Sequence, residues 1–117
     1  MNILFVINDA PYGTEKAYNA LRLAMALQKE HGETEIRIFL LADAVGCAIP
    51  DQKTPQGYYN IERMLKSVIN GGGRIRACGG CSEARGINRI QLVEGVELSN
   101  MSEFAQWVVE ASKILSF

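Results

Sequence analysis

Hydrophobic residues form short unbroken runs along the chain, separated by stretches with helical spacing. Residues 3 to 7 are all apolar, which is typical of a strand covered on both faces in a parallel sheet. Residues 34 to 41 predict a second strand, because apolar and polar positions alternate before the run becomes continuously apolar. Shorter strands are predicted at residues 74 to 77 and 114 to 117.

Helical spacing fills the intervals between these strands. The first helix is expected to begin at Thr14 as its N-cap and to end at Gly32. A second is predicted from about residue 60 to 70, and a third starts at Asn100 with capping-box spacing. The inward positions are Ala17, Ala20, Leu21, Ala24 and Leu27, then Ile61, Met64, Leu65 and Val68, and finally Phe104, Trp107, Val108 and Ala111. This β-α-β alternation predicts an α/β protein with right-handed crossovers.

Three segments have weaker patterns. Residues 44 to 57 are interrupted by glycine and proline and predict an irregular loop, of the kind that often covers a site or an interface. Residues 82 to 85 suggest a brief helical turn closed by Gly86. Residues 95 to 99 are expected to lead into the last helix.

Composition narrows the class of protein. The 117 residues are expected to form a single domain, residues 1 to 117. With 12 Lys and Arg against 13 Asp and Glu and no basic block, direct nucleic-acid binding is not expected. No apolar stretch approaches the length of a membrane span, and the opening run is too short for a signal core. Three cysteines, an odd number, favour free thiols and a cytoplasmic location.

Reactive or charged residues follow the predicted strands. In open parallel sheets, ligands bind beyond the carboxyl ends of the strands, near the point where strand order reverses. Asp9, Asp43 and Cys78 each follow a predicted strand, so their loops are expected to converge on one edge. Cys78 is the main candidate, because amide groups at the start of a helical turn favour a thiolate and lower the pKa of the thiol.

The neighbours of Cys78 suit a reactive thiol. Gly79 and Gly80 have no side chains that would shield the sulfur, and their amides could approach an anion. Arg85 could add positive potential. Cys81 has the spacing to form a redox disulfide with Cys78 or to resolve a persulfide on it. The alternative is that Cys78 is a small buried residue that closes a strand.

Metal and cofactor sites have little support in the sequence. Apart from Cys78, Cys81 and the carboxylates, the usual zinc ligands are limited to Cys47 and His31, which lack a recognised spacing, so no metal is predicted. His31 is expected to cap a helix C-terminus, and Cys47 to be a packing residue. No glycine motif for nucleotide phosphates is present, and no cofactor is predicted.

Three segments together resemble the DsrE/DsrF-like proteins, particularly the YchN-like branch. They are residues 10 to 15 (Ala-Pro-Tyr-Gly-Thr-Glu), residues 41 to 45 (Leu-Ala-Asp-Ala-Val), and Cys78 to Cys81 followed by Arg85-Gly86-Ile87. The likeness extends over essentially the whole chain. The resemblance implies a three-layer, five-stranded and mainly parallel sheet with flavodoxin-like or Rossmann-like topology. It also implies a homotrimer or homohexamer.

The resemblance also suggests a chemical role for Cys78. Sulfur-relay members of the family carry a persulfide on a cysteine that is followed eight positions later by a glycine after an arginine, as Cys78, Arg85 and Gly86 are here. The leading hypothesis is therefore a persulfide carrier that works with sulfur donor and acceptor proteins. The alternatives are a thiol-disulfide switch between Cys78 and Cys81 and a non-catalytic oligomeric binding subunit.

Overall fold

A computed structural model describes all 117 residues. The strands are β1 (Asn2–Ile7), β2 (Glu35–Leu40), β3 (Arg74–Cys78), β4 (Val96–Ser99) and β5 (Lys113–Ser116). The α-helices are α1 (Lys16–Glu30), α2 (Ile61–Asn70), α3 (Gly79–Ala84) and α4 (Met101–Glu110). Two 3₁₀ helices span Ala42–Ala48 and Ile87–Arg89. None of the α-helices combines the length and the apolar character that crossing a membrane requires.

The five strands form one parallel sheet in the order β4-β3-β2-β1-β5. The predicted fold class, a three-layer α/β protein with a five-stranded sheet, is confirmed. The chain winds outward from β1 to β4 and then returns to the other side of β1, which is the direction of winding in Rossmann-type sheets. Strand order therefore reverses between β1 and β5.

Alternate residues of β1 and β2 supply two separate cores, because side chains of a strand point to opposite faces. On one face, Ile3, Phe5 and Ile7 of β1 pack in a large cluster that includes the buried sides of α1 and α2. On the other face, Leu4 and Val6 join a smaller cluster closed by α4. The second face is therefore covered by a single helix of ten residues.

Two segments predicted as irregular contain regular structure, whereas residues 49 to 57 are irregular as expected. Residues 44 to 57 were expected to form a loop, but Ala42–Ala48 is a 3₁₀ helix whose small apolar side chains are buried. Residues 95 to 99 contain the edge strand β4, which the sequence pattern had not indicated as a strand. Only Ser99 of β4 is buried, so this strand has no apolar run to reveal it.

Helix starts also differ from the predictions at two places. The N-cap of α1 is Glu15 rather than the expected Thr14, and Glu15 makes no side-chain capping bond. The hydroxyl of Thr14 instead accepts a long hydrogen bond from the Lys16 N–H at 3.4 Å. The turn expected at residues 82 to 85 is part of α3, which starts three residues earlier, directly after Cys78.

Candidate functional site

Cys78 is both the last residue of β3 and the N-cap of α3, so the chain passes from strand to helix without a loop. Two hydrogen bonds hold this junction. The Cys81 N–H donates to the Cys78 Sγ at 3.3 Å, and the Ser82 hydroxyl donates to the Cys78 carbonyl oxygen at 2.8 Å. Cys78 is half-buried and packs against both cores, so its sulfur has a fixed position at the carboxyl edge of the sheet.

The two glycines after Cys78 have different surroundings. A Cβ atom on Gly79 would lie 2.9 Å from the Ser99 carbonyl oxygen, closer than real Cβ contacts allow. Gly79 is therefore needed for the close approach of α3 to β4. A Cβ atom on Gly80 would meet nothing within 4 Å, so open space lies beside the chain at that point.

Cys81 connects α3 to the end of β2. Its Sγ accepts a hydrogen bond from the Ala42 N–H at 3.3 Å. Ala42 has a φ of 51°, in the left-handed region that residues other than glycine seldom adopt. The half-buried sulfur of Cys81 thus lies against a strained backbone position at the start of the first 3₁₀ helix.

Arg85 binds the backbone and a carboxylate rather than a sulfur. Its Nε and Nη2 lie 3.0 and 2.9 Å from Asp43 Oδ1, and its Nη1 donates to the Cys81 carbonyl oxygen at 3.1 Å. The structure thus brings together Asp43 of the first 3₁₀ helix with Cys81 of α3 and Arg85, the C-cap of α3. Because Asp43 offsets its charge, Arg85 supplies less positive potential to the thiols than the sequence suggested.

Burial raises the pKa of the Cys78 thiol, and a hydrogen bond with the Cys81 side chain raises it further. The backbone N–H groups of Cys81 and Gly80 act in the opposite direction but do not offset burial. The expectation of a lowered pKa is therefore wrong. α3 has only six residues, so its dipole is weak compared with the loss of water around the sulfur.

Asp9 does not join this group, contrary to the expected convergence of three loops. Its Oδ2 accepts a hydrogen bond from the Thr14 hydroxyl at 3.3 Å and lies 3.6 Å from Lys16 Nζ. Asp9 follows β1, beside the reversal of strand order, whereas Cys78 ends β3, two strands away. Its contacts organise the entry to α1 and involve neither cysteine.

The remaining candidates have structural surroundings. His31 is the C-cap residue of α1 and is exposed. Cys47 is only 1% exposed in the main core, and burial raises the pKa of its thiol to about 12. No three His, Cys, Asp or Glu side chains of the chain lie close enough together to hold a metal ion.

Sequence reasoning missed Ala42, Ser82 and Ser99. The hydroxyl of Ser82 lies four residues after the carbonyl that it binds, a spacing that could have been recognised as a local serine motif. Ala42 and Ser99 contact the site through backbone atoms, and such contacts leave no signal in residue type.

Comparisons with known proteins agree with this architecture. Protein YchN of Escherichia coli (strain K12) is 40% identical over 115 residues, which are 98% of this chain and 97% of that protein. The crystal structure of E. coli YchN matches with a TM-score of 0.94 at 40% identity, covering 99% of this chain and 98% of that one. The uncharacterised protein MK0008 of Methanopyrus kandleri is 41% identical over 115 residues, 98% of this chain and 93% of that protein.

A more distant structure supports the fold alone. Protein MTH1491 of Methanobacterium thermoautotrophicum matches with a TM-score of 0.79 at 16% identity, covering 99% of this chain and 98% of that one.

The sequence profile of the DsrE/DsrF-like family matches residues 1–117. With a match of that length and relatives at 40% identity, this chain belongs to the DsrE/DsrF-like family.

Proposed function

We propose that this protein carries sulfane sulfur as a persulfide on Cys78. Membership of the DsrE/DsrF-like family suggests a sulfur-relay role in general. The specific proposal rests on the position of the half-buried Cys78 Sγ. This sulfur accepts a hydrogen bond from the Cys81 N–H and lies near the open space beside Gly80. A carrier thiol must be reachable by its partners, and it needs a hydrogen-bond donor that stabilises the thiolate.

The proposed loading step transfers one sulfur atom. The Cys78 thiolate attacks the outer sulfur of a donor persulfide R–S–SH, forming Cys78–S–SH while the donor S–S bond breaks and R–S⁻ leaves. In unloading, an acceptor thiolate attacks the outer sulfur, and Cys78 leaves as a thiolate. Each step exchanges one S–S bond for another, so no external oxidant or reductant is consumed.

Local hydrogen bonds would stabilise the charge that moves through Cys78. The N–H groups of Cys81 and Gly80 favour the negatively charged sulfur. Arg85 would act indirectly, because it holds the Cys81 carbonyl and Asp43 together rather than contacting the sulfur. We assign Arg85 and Asp43 as positioning residues, whereas Gly79 allows close packing and Gly80 leaves access. Asp9 has no part in this proposal.

A second candidate function is a thiol-disulfide switch. It is favoured by the closeness of the two thiols: the Cys81 N–H donates to the Cys78 Sγ at 3.3 Å, and the Cys81 side chain helps to raise the pKa of the Cys78 thiol. In this reaction the two thiols lose two electrons and two protons to an external disulfide R–S–S–R, which leaves as two R–SH molecules. Because the Cys81 Sγ accepts the Ala42 N–H, oxidation of this sulfur would act on a contact between α3 and the end of β2.

Partners and assembly follow from the same family. DsrE/DsrF-like proteins are generally oligomeric and act with sulfur-transfer partners. We propose a homotrimer or homohexamer that receives and passes on sulfur through donor and acceptor proteins. Exposed apolar side chains on and beside α4 and the edge strands support such subunit contacts; they are Leu98, Met101, Val108, Val109 and Ile114. In a non-catalytic binding subunit, function would depend on these subunit contacts and not on the thiols.

Intact mass spectrometry after exposure to a persulfide donor tests the proposal. We expect a gain of about 32 Da, one sulfur atom, in the native protein and in Cys47→Ala, and no gain in Cys78→Ser. A loss of about 2 Da that requires both Cys78 and Cys81 would instead favour the switch. If neither mass change occurs and both thiols resist alkylation until the protein unfolds, sulfur carriage is refuted and the binding subunit is favoured.

A further inference from the structure

Three arginines surround the only tryptophan on the face of the sheet that α4 covers. The distance from the guanidinium carbon to the centroid of the Trp107 ring is 5.4 Å for Arg37 of β2. It is 5.7 Å for Arg74 and 4.3 Å for Arg76, both in β3. We call these four residues the arginine cleft. They line an open cavity of about 310 Å³ together with Glu103, Gln106 and Glu110.

The carboxylates in this cleft are already engaged. Glu110 binds Arg37 and accepts from Gln106, and Glu103 accepts from the Ser99 hydroxyl at 2.6 Å. Arg74 and Arg76 form no ion pair with any carboxylate of the chain. Arg74 and Arg76 therefore face the cavity without a hydrogen-bonded carboxylate, while Arg74 lies near enough to Glu110 to help lower the pKa of that carboxyl group. Their contact with the Trp107 ring leaves their N–H donors free for a ligand.

A further donor in the cleft lacks a partner. The Nε of Arg37 is buried and makes no hydrogen bond, and the side chain of this residue is 11% exposed. Arg37 and Arg74 are also direct neighbours in the register of β2 and β3. Like charges directly opposite each other on paired strands are destabilising, and the carboxylates of Glu35 and Glu110 offset the charge of Arg37. The charge left for an added anion is therefore that of Arg74 and Arg76.

We propose that the arginine cleft binds a small divalent oxyanion of the sulfate, thiosulfate or phosphate type. The planar fork of an arginine donates two parallel hydrogen bonds to such a group. Arg74 and Arg76 supply the two unpaired forks, and Trp107 holds Arg76 in place by stacking against it. No thiol takes part, so the site is independent of whether Cys78 carries sulfur.

The fluorescence of Trp107 reports on this site without any label, because the chain has a single tryptophan. Titration of the full chain with sodium sulfate, thiosulfate or phosphate at constant ionic strength is expected to give a saturable change, whereas sodium chloride gives none. Isothermal titration calorimetry supplies the affinity, since substitutions beside the ring alter the emission itself. Arg76→Gln and Arg74→Gln are each expected to weaken binding about tenfold, because one charged hydrogen-bonding fork is lost.

Three control variants make the test specific. Arg63→Gln removes an exposed arginine from α2, on the opposite side of the sheet, and should bind as the parent does. Cys78→Ser should also bind unchanged. Arg76→Lys keeps the charge but not the fork, so an intermediate affinity is expected if that variant keeps its circular dichroism spectrum.

The proposal fails if no anion gives a saturable response beyond that of chloride. It also fails if Arg63→Gln weakens binding as much as Arg76→Gln, because the effect would then be one of overall charge. The titrations with sulfate, thiosulfate and phosphate show which anion binds most tightly. Binding of any one of them that depends on Arg74 and Arg76 supports the site.

Discussion

The Ala42 N–H donates a hydrogen bond to the Cys81 Sγ at 3.3 Å while Ala42 holds a left-handed backbone. A residue with a Cβ atom in this region costs about 1 to 2 kcal/mol, and such strain persists only where the surroundings fix it. Here the fixed surroundings are the end of β2, the first 3₁₀ helix and α3. The second thiol of the candidate site is thus held by a backbone N–H from the 3₁₀ helix that follows β2.

Relief of this strain should be measurable. Ala42→Gly is expected to leave the free energy of unfolding unchanged or to raise it by up to about 1 kcal/mol, because glycine adopts a positive φ without steric cost. Ala48→Gly is the matched control: Ala48 is buried in the same 3₁₀ helix without a positive φ, and its loss should be destabilising. Urea denaturation of both variants checks this. Equal destabilisation of the two would contradict the argument.

The extent to which sequence predicts this structure depends on the residue pattern of each element. β1 was predictable because its burial makes it a continuous apolar run, whereas β4 is a short edge strand with exposed Glu97 and Leu98. The position of Cys78 at a strand end was also predictable. The pairing of Arg85 with Asp43 was not, because residues 42 positions apart meet only in the folded chain.

The two glycines between the cysteines should respond differently to alanine. Gly79→Ala is expected to destabilise the protein by about 1 to 3 kcal/mol, because its Cβ would overlap the Ser99 carbonyl oxygen, a backbone atom that cannot move freely. Gly80→Ala meets open space and should change stability by less than about 0.5 kcal/mol. Thermal and urea unfolding of the pair tests this, and a greater loss in Gly80→Ala would refute it.

Buried Cys47 should weaken the fold at alkaline pH. Its folded-state pKa of about 12 lies above the ordinary value of 9.0, so the folded protein favours the neutral thiol. The stability that this provides is complete below about pH 9 and is lost as the pH rises toward 12, by up to about 1.4 kcal/mol per pH unit. Cys47→Ala, which has no thiol at this position, should lose stability less steeply over this range. Parallel curves for the two proteins would count against this account.

The raised pKa of Cys78 should appear in its reaction with iodoacetamide. Only the thiolate reacts, so the labelling rate in the native protein is expected to keep rising above pH 9, the ordinary value for a thiol. Cys81→Ala removes the side-chain hydrogen bond that raises this pKa but keeps the backbone N–H that lowers it, so its profile should shift to lower pH. Cys47→Ala is the control and should leave the profile unchanged.

Peptide mass spectrometry after timed labelling measures each cysteine separately. A plateau in the Cys78 rate below about pH 8 would mean that the backbone amides outweigh burial, contrary to the balance at this site. A Cys78 labelling rate that is still rising above pH 9 means instead that little thiolate exists at neutral pH. In that case sulfur loading in a relay would be limited by removal of the Cys78 proton, and its rate should rise with pH in parallel with alkylation.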